Sequence, residues 1–359
     1  VVVITTTGLK MELLDIKKIY LQESCESQER TQQILQRFPT AEKILVKNHW
    51  KIPELQDESL IESWNLVKKN ILVIGNIKSF TSTSNGRSTD FIAPSHSNGC
   101  ALSCAYCYVG RRKGASNPIT VFSNIEDIIK AIDKHASVLP DKTPNQCDPV
   151  YWTYDIGCNN DASVDDLVSD NVKDLIDYFA DSKNIKASFA TKFVNNKLLN
   201  YNPKNKTRIR FSLMPENVRK VVDVRTSTTT QKIKAINDFH EAGYEVHLNF
   251  SPVILTETWE EDYAELFEEI FDNVSGSAYT NLKHEVIFLT HNEALHDLNL
   301  KWHPKAEDLL WRPDIQEPKF SLNGAKNIRY SNAYRYSSIY IFKTLINRYL
   351  PFTPIRYIF

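Results

Sequence analysis

An excess of either charge is missing from this chain. Its 359 residues carry 43 Lys and Arg against 44 Asp and Glu, a formal net charge of −1, so no global field draws it toward nucleic acid. No apolar run reaches 18 residues, which leaves no transmembrane helix to expect and no membrane partner. Val1–Thr7 is apolar but short and lacks a basic lead, so it does not read as a signal peptide. The chain does not begin with Met, and its natural start is left open. Internal repeats and low-complexity tracts are absent. There is no disulfide framework either: three of the six cysteines crowd into one short stretch, while Cys25, Cys147 and Cys158 are scattered. The hydrophobic content of 42% is enough for one large domain, or for one plus a small appendage.

The crowded stretch is Cys100-Ala101-Leu102-Ser103-Cys104-Ala105-Tyr106-Cys107-Tyr108. Its spacing is C-x3-C-x2-C, preceded by a strand end at Phe91-Ile92-Ala93-Pro94, and Gly99 with the small residues Ala101, Ser103 and Ala105 lets the backbone wrap tightly. Such a loop can place three thiolates on one iron–sulfur cubane. An ordinary [4Fe–4S] cluster takes four cysteines; three leave an iron open, and open positions belong to metal sites that do chemistry. The alternatives are a zinc knuckle, with His96 as fourth ligand but no second cysteine pair, or a chance grouping. The motif resembles that of the radical SAM superfamily. The resemblance implies that S-adenosyl-L-methionine (SAM) chelates the open iron and is cleaved by one electron to a 5′-deoxyadenosyl radical. A ferrous–thiolate cluster needs a reducing compartment, so a cytoplasmic location is expected.

The flanking sequence fits such a core. Strand patterns at Asp90–Ala93, Val150–Ile156, Ile185–Lys192, Arg208–Met214, Glu245–Ile254 and His284–Leu289 alternate with helical ones. The helical stretches are Ile125–His135 behind a Ser123 cap, an apolar stripe from Val164 to Phe179, Thr228–Ala242 ending at Gly243, and Trp259–Val274. Six strand–helix units predict an α/β fold, an open partial (β/α)6 barrel with ligands at the strand C-termini. Before it, a small α/β lead-in contains Ile16–Leu21, Ser27–Phe38, Ile44–Val46 and Asn70–Ile77, with a linker at Ser79–Thr89. After it, Asn323-Gly324 predicts a hairpin turn between Lys319–Leu322 and Asn327–Tyr330. A helix at Ser337–Leu350 and a β-type run at Ile355–Phe359 close the chain. The expected division is residues 1–88 as N-terminal α/β region, 89–310 as radical SAM core and 311–359 as C-terminal hairpin and helix extension.

Further segments sharpen the resemblance. Asn70–Phe80, Cys100–Tyr108, Tyr154–Leu167, Phe189–Phe193, Arg208–Met214, Ala242-Gly243-Tyr244 and Ile355–Phe359, in this order, are similar to the spore photoproduct lyase family. The family resemblance implies a radical SAM lyase that repairs the thymine dimer 5-thyminyl-5,6-dihydrothymine in DNA. It implies a [4Fe–4S] cluster on Cys100, Cys104 and Cys107, SAM as cofactor, lesion-containing DNA as partner, and a reducing protein such as flavodoxin or ferredoxin. On the same basis Cys158, with Asp161 three residues on, matches the cysteine that returns a hydrogen atom; read by itself it is a small cysteine near a strand end. Tyr106 matches an aromatic lying against SAM, and Tyr108 one implicated in hydrogen transfer, with packing around the cluster as the plain reading of both. Ser212 and Lys192 match residues near SAM but equally suit a solvent-facing serine and a solvated lysine. Asp161 is matched near SAM, although an Asp before Val164 also suits a helix cap. His291 has a counterpart of unassigned role.

Residues 183–234 hold thirteen basic residues against two acids, and Leu255–Val274 holds eight acids and no base. The basic stretch could cradle a phosphate backbone or simply be solvated. Arg111-Arg112-Lys113-Gly114 adds charge after the cysteine loop. The chain departs from the family at the hairpin: relatives carry Arg and Tyr at the tip, whereas Phe320-Ser321-Leu322-Asn323-Gly324-Ala325-Lys326 stands here, with Arg329, Tyr330 and Tyr334 slightly later. Two other functions stay open from the residues alone: the same fold acting on a different nucleic-acid or small-molecule substrate, and a non-catalytic cluster or zinc protein that binds nucleic acid.

Overall fold

The computed structural model describes residues 13–57, 62–111, 116–320 and 326–359. Seven parallel strands make one curved sheet in the spatial order Phe91–Ile92, Trp152–Asp155, Ile185–Thr191, Thr207–Ser212, Glu245–Val253, His284–Phe288 and Ile355–Ile358, called here the first to seventh barrel strands. Thr83–Ser84 pairs antiparallel at the edge of the first. All six expected strands are present, and the closing β-type run of the sequence becomes the seventh.

Strands buried on both faces dominate this sheet. The fourth is buried at every position, as a parallel sheet covered by helices requires. Period-2 alternation sorts its side chains. Ile209 and Phe211 join the main apolar core beneath the helices Asn171–Asp181, Thr229–Glu241 and Trp259–Asn273. Arg208 and Arg210 share the opposite face. Arg210 pairs with Asp155 of the second strand (2.6 Å) and Glu285 of the sixth (3.1 Å), and Arg356 of the seventh reaches Glu285 (2.8 Å). Arg208 pairs with Asp148 (2.7 Å) and Glu245 (3.0 Å). This corrects the view of residues 183–234 as one basic surface: Lys186, Arg208, Arg210, Arg219 and Lys232 are buried. Their charge balances internal carboxylates, as buried charges must be balanced.

Local signals explain several boundaries. Thr228 and Gln231 form a reciprocal capping box at the start of Thr229–Glu241, and Gly243, at φ +87°, ends that helix. The helix Ile125–Ala136 has Asn124, not Ser123, at its N-cap. The stripe from Val164 to Phe179 is two helices, Ala162–Asp165 and Asn171–Asp181. Between them the buried carboxylate of Asp166 accepts from Tyr201 Oη (2.8 Å) and Asn195 Nδ2 (3.0 Å), and Asn171 Nδ2 donates to the carbonyls of Phe122 (2.9 Å) and His96 (3.2 Å).

The lead-in forms a second sheet in the order Glu42–Val46, Lys18–Gln22, Ile71–Gly75, Thr120–Phe122, Ser97–Asn98. Its last two strands lie beyond residue 88, so that division does not fall at a sheet boundary. Ala101 and Leu102 of the cysteine loop pack into this sheet's core with Ile19, Leu72 and Val121. A third sheet joins Gln316–Phe320 and Lys326–Tyr330 to Thr290–Asn292, so the division at residue 311 is also bridged. The expected Asn323-Gly324 turn, Arg112–Gly114 and Val1–Thr7 lie outside the described residues. The last helix runs over Asn332–Tyr349, starting five residues earlier than expected. Among the described residues no helix is long and apolar enough to cross a membrane.

Three fully buried histidines set an acid limit. Burial pushes His96 down to about 4, and His247 and His284 each to about 3. Their depressed folded values mean that the stability they contribute is complete above the unfolded value near 6.5 and drains away as pH falls toward 4. We expect urea unfolding free energy to fall between pH 6.5 and 4; the three histidines alone would give a slope of up to about 4 kcal/mol per pH unit, and the buried carboxyls of Asp161, Asp165 and Asp166, pushed up by burial, make it smaller. Equal stability at pH 7.5 and pH 5 would refute this.

Candidate active site

The cysteine loop is shaped by its backbone. Gly99 sits at φ +92°, and a Cβ there would lie 2.3 Å from the Pro118 carbonyl oxygen, so glycine is required. Ser103 is also left-handed, at φ 58°. Three ties hold the loop from different parts of the chain. Gly99 N donates to Asn159 O (3.1 Å), Ala105 N to Val222 O (2.9 Å), and Asn299 Nδ2 to Ala105 O (2.6 Å). Burial pushes the thiols of Cys100, Cys104 and Cys107 upward. Ionised thiolates are therefore disfavoured here unless a cation compensates them, and thiolate is the metal-binding form. Lys68, itself buried, has its ammonium pushed down by burial and supported by all three cysteines.

This donor set fits a cubane cluster with one open iron better than zinc. His96, the fourth ligand a zinc site would take, is buried, and its Nε2 lies 2.9 Å from Asn160 Nδ2. Among the described residues, the group of ligand atoms all within 4.8 Å of one another is His291, His296 and Glu307, not the cysteines. His291 Nε2 lies 3.1 Å from Glu307 Oε1, and Glu307 also accepts from Asn299 (2.6 Å), the residue that braces Ala105.

Cys158 follows the second barrel strand at its C-terminal end, half-buried. Gly157 lets its loop pass the third strand, where a Cβ would come within 2.9 Å of Phe189 Cβ. Tyr108 Oη donates to the Cys158 carbonyl (2.8 Å), and Asn159 Nδ2 donates to Ser95 Oγ (2.9 Å). Together with the Gly99–Asn159 bond, these bonds sew the Cys158 loop to the cysteine loop. Two features far apart in sequence thus share one end of the barrel.

Tyr106 Oη donates to Asp223 Oδ1 (2.7 Å), and Lys192 Nζ lies 3.0 Å from Asp223 Oδ2 and 5.2 Å from the Tyr106 ring centre. Burial works against ionisation of Asp223, yet Lys192, Lys232 and hydrogen bonds from Cys104 and Tyr106 hold its carboxyl below the usual range. Lys232 is pushed down to about 7, chiefly by burial and then by Lys192, and donates to the Ser212 carbonyl (2.8 Å). Ser212 ends the fourth strand, and its Oγ accepts from Asn249 Nδ2 (3.2 Å), its register neighbour on the fifth. Asp161 has the capping role. Its carboxylate accepts from Ser163 N (3.1 Å), Val164 N (3.3 Å), Thr191 Oγ1 (2.8 Å) and Lys192 N (3.0 Å). It therefore positions Lys192, with its own acceptors already engaged.

The nine residues singled out from sequence converge on this end of the barrel. Asp223, Lys232, Lys68, Asn249 and Asn299 were not found that way. The trace Asp223 left was a lone acid closing the apolar pair Val221-Val222. Asp223→Ala strands the buried Lys232 ammonium and the part-buried Lys192 ammonium, and we expect it to cost about 3–5 kcal/mol in urea unfolding. Asp223→Asn keeps an acceptor for Tyr106 and should cost less; equal losses for the two would argue against a charge role.

Comparison with known proteins identifies the family of the chain. A family model described as spore photoproduct lyase matches residues 16–359. Spore photoproduct lyase of Bacillus subtilis (strain 168) is 28% identical over 221 residues, 61% of either chain. That of Clostridium acetobutylicum is 28% identical over 212 residues, 57% of this chain and 59% of its own. The matched stretch thus spans about three fifths of these curated relatives. In fold the likeness is nearly complete. A solved spore photoproduct lyase complexed with dinucleoside spore photoproduct superposes with a TM-score of 0.87 at 21% identity, covering 96% of this chain and 99% of that one. A variant solved with bound AdoMet and the dinucleoside gives 0.86 at 20% identity over the same shares. With the family model matched from the first strand of the lead-in to the last barrel strand, the chain belongs to the spore photoproduct lyase family.

Proposed function

We propose that this protein is a radical SAM lyase that repairs 5-thyminyl-5,6-dihydrothymine in DNA. The observation that carries the reading is the join between the Cys158 loop and the cysteine loop through Tyr108 and Gly99. The named relatives, and the neighbours solved with the lesion dinucleoside and AdoMet, support it. Cys100, Cys104 and Cys107 hold a [4Fe–4S] cluster whose open iron takes SAM. Bound there, these groups supply the 5′-deoxyadenosyl radical that takes a hydrogen atom from the lesion.

The chain's own residues do the rest. Cys158 returns a hydrogen atom from its S–H bond to the thymine radical left when the cross-link breaks. A thiol suits the step because the S–H bond is weak toward carbon radicals. Tyr108 fixes the Cys158 backbone, and its phenol would give a hydrogen atom to the Cys158 thiyl radical and take one from 5′-deoxyadenosine, so that SAM could re-form with methionine as the electron goes back to the cluster. Tyr106, locked by Asp223 and Lys192, forms a rigid wall beside the cluster. Ser212 and Lys192, at the ends of the fourth and third strands, would help to hold SAM, with Lys192 kept in place by Asp161. A small reducing protein such as flavodoxin or ferredoxin supplies the electron.

The test is anaerobic. Reconstituted protein with dithionite and SAM is given oligonucleotides with and without the defined dimer. Restored thymines with little net 5′-deoxyadenosine support repair with SAM recycling. 5′-Deoxyadenosine without repair would keep the radical chemistry and overturn the substrate.

A further inference from the structure

Three cations converge on one aromatic ring at the seam of the barrel. The guanidinium carbon of Arg87 lies 4.6 Å from the Phe359 ring centre, Lys319 Nζ 4.9 Å and the guanidinium carbon of Arg335 5.6 Å. They come from separate elements: the segment before the first barrel strand, the hairpin strand Gln316–Phe320 and the first turn of Asn332–Tyr349. Phe288, Thr290 and Arg329 complete a recess around them. The seam itself is tied by Ser88 Oγ to Tyr357 Oη (3.1 Å) and by Arg356 Nη2 to Ser88 O (2.7 Å).

Like charges held this close repel unless an anion lies among them. Arg329 already pairs with Glu317 (2.9 Å). Among the described residues, no carboxylate forms an ion pair with Arg87, Lys319 or Arg335. The Lys319 ammonium is pushed down by partial burial and by Arg329, Arg87 and Arg335. One ring cannot neutralise three cations, since its quadrupole carries no net charge.

The surroundings specify the anion. Exposed Tyr336 lies beside Arg335, whose guanidinium carbon is 5.8 Å from its ring centre, and Phe320, also exposed, follows Lys319. Cations interleaved with exposed aromatic faces are the pattern of a nucleic-acid strand, phosphate on the charges and base or sugar on the rings. The recess also lies at the correct end. Phe288 and Phe359 stand at the C-terminal ends of the sixth and seventh strands, the end that carries Cys158, Lys192 and Ser212 on their neighbours.

We propose that Arg87, Lys319 and Arg335 around Phe359 seat one backbone phosphodiester of the DNA strand that carries the dimer, beside the active site and apart from where the bases are read. This rests on the lyase reading for the identity of the strand. It assigns phosphate binding to residues outside the hairpin tip, so register along the strand is set by a fixed feature of the barrel.

The test uses anaerobically prepared protein with its cluster, a short fluorescein-labelled oligothymidylate, and the same oligomer with neutral methylphosphonate linkages. Binding is measured against salt. The combined Arg87→Gln, Lys319→Gln and Arg335→Gln variant should bind the natural oligomer roughly tenfold more weakly at low salt. Its log–log salt slope should be shallower by about 0.7 for each phosphate that the variant no longer neutralises. The methylphosphonate oligomer should bind wild type and variant alike. Lys319→Arg with Arg335→Lys should keep the wild-type slope, which separates charge from a folding defect. An unchanged slope in the triple variant, or equal binding of both oligomers by wild type, would overturn the proposal. Dimer-containing DNA bound with the wild-type slope but never repaired would sink the lyase reading and leave the phosphate seat standing.

Discussion

Cys104→Ala should lose its iron. Reconstituted wild-type chain is expected to hold about four irons, and the variant should hold a small fraction of that after desalting, with no SAM cleavage above background. The reason is geometric as well as chemical. The loop is curled by Gly99 at φ +92° and Ser103 at φ 58° and pinned at Ala105 by bonds to Val222 and Asn299. A neighbouring side chain therefore cannot swing in to replace the missing thiolate. Cys25, buried in the N-terminal core, provides the control: Cys25→Ala should keep its iron. Iron analysis with the 5′-deoxyadenosine assay decides the matter, and full iron in Cys104→Ala would overturn the assignment of the cluster to this loop.

Cys158→Ala should split initiation from completion. SAM cleavage, which is assigned to the cysteine loop, should proceed, while clean restoration of two thymines should fall on the order of 10²-fold or more, since every turnover would lack the proposed donor. Damaged thymine products and net 5′-deoxyadenosine should accumulate together. Cys158→Ser keeps the size of the side chain but offers a stronger O–H bond, and should fail in the same way. Tyr108→Phe removes the 2.8 Å bond to the Cys158 carbonyl, so it should loosen the donor and raise net 5′-deoxyadenosine per repair to a lesser degree. Clean repair by Cys158→Ala would show that another group is the donor.

The barrel strands were legible because apolar runs of strand length alternated with helical periods, and the cysteine loop because its spacing serves few purposes. What could not be read was the sense of the charges. Thr207-Arg208-Ile209-Arg210-Phe211-Ser212 alternates like a strand with one wet face, yet its arginines point inward. Their partners Asp155, Glu245 and Glu285 come from three other strands and meet them only once the sheet order exists. Asp223 was invisible for the same reason, since its partners Tyr106 and Lys192 are distant in sequence and Lys232 joins them only once the next helix has packed. The break in the Val164–Phe179 stripe was hidden because periodicity registers apolar faces and not the polar needs of Asp166 and Asn171. The lead-in read as a separate unit because two of its five strands are only two and three residues long.

The ties on the cysteine loop also imply an order of assembly. Gly99 is bonded to Asn159, and Ala105 to Val222 and Asn299. Every one of these partners leaves the ribosome after the three thiols. At translation rates of about 5–20 residues per second, the thiols precede Asn299 by roughly ten seconds or more. The nascent chain therefore exposes an open thiol loop before the rest of the polypeptide closes over it. A ribosome-arrested chain ending before Asn159 should react with a thiol probe faster than the released protein does, and cluster insertion should be easiest in that interval.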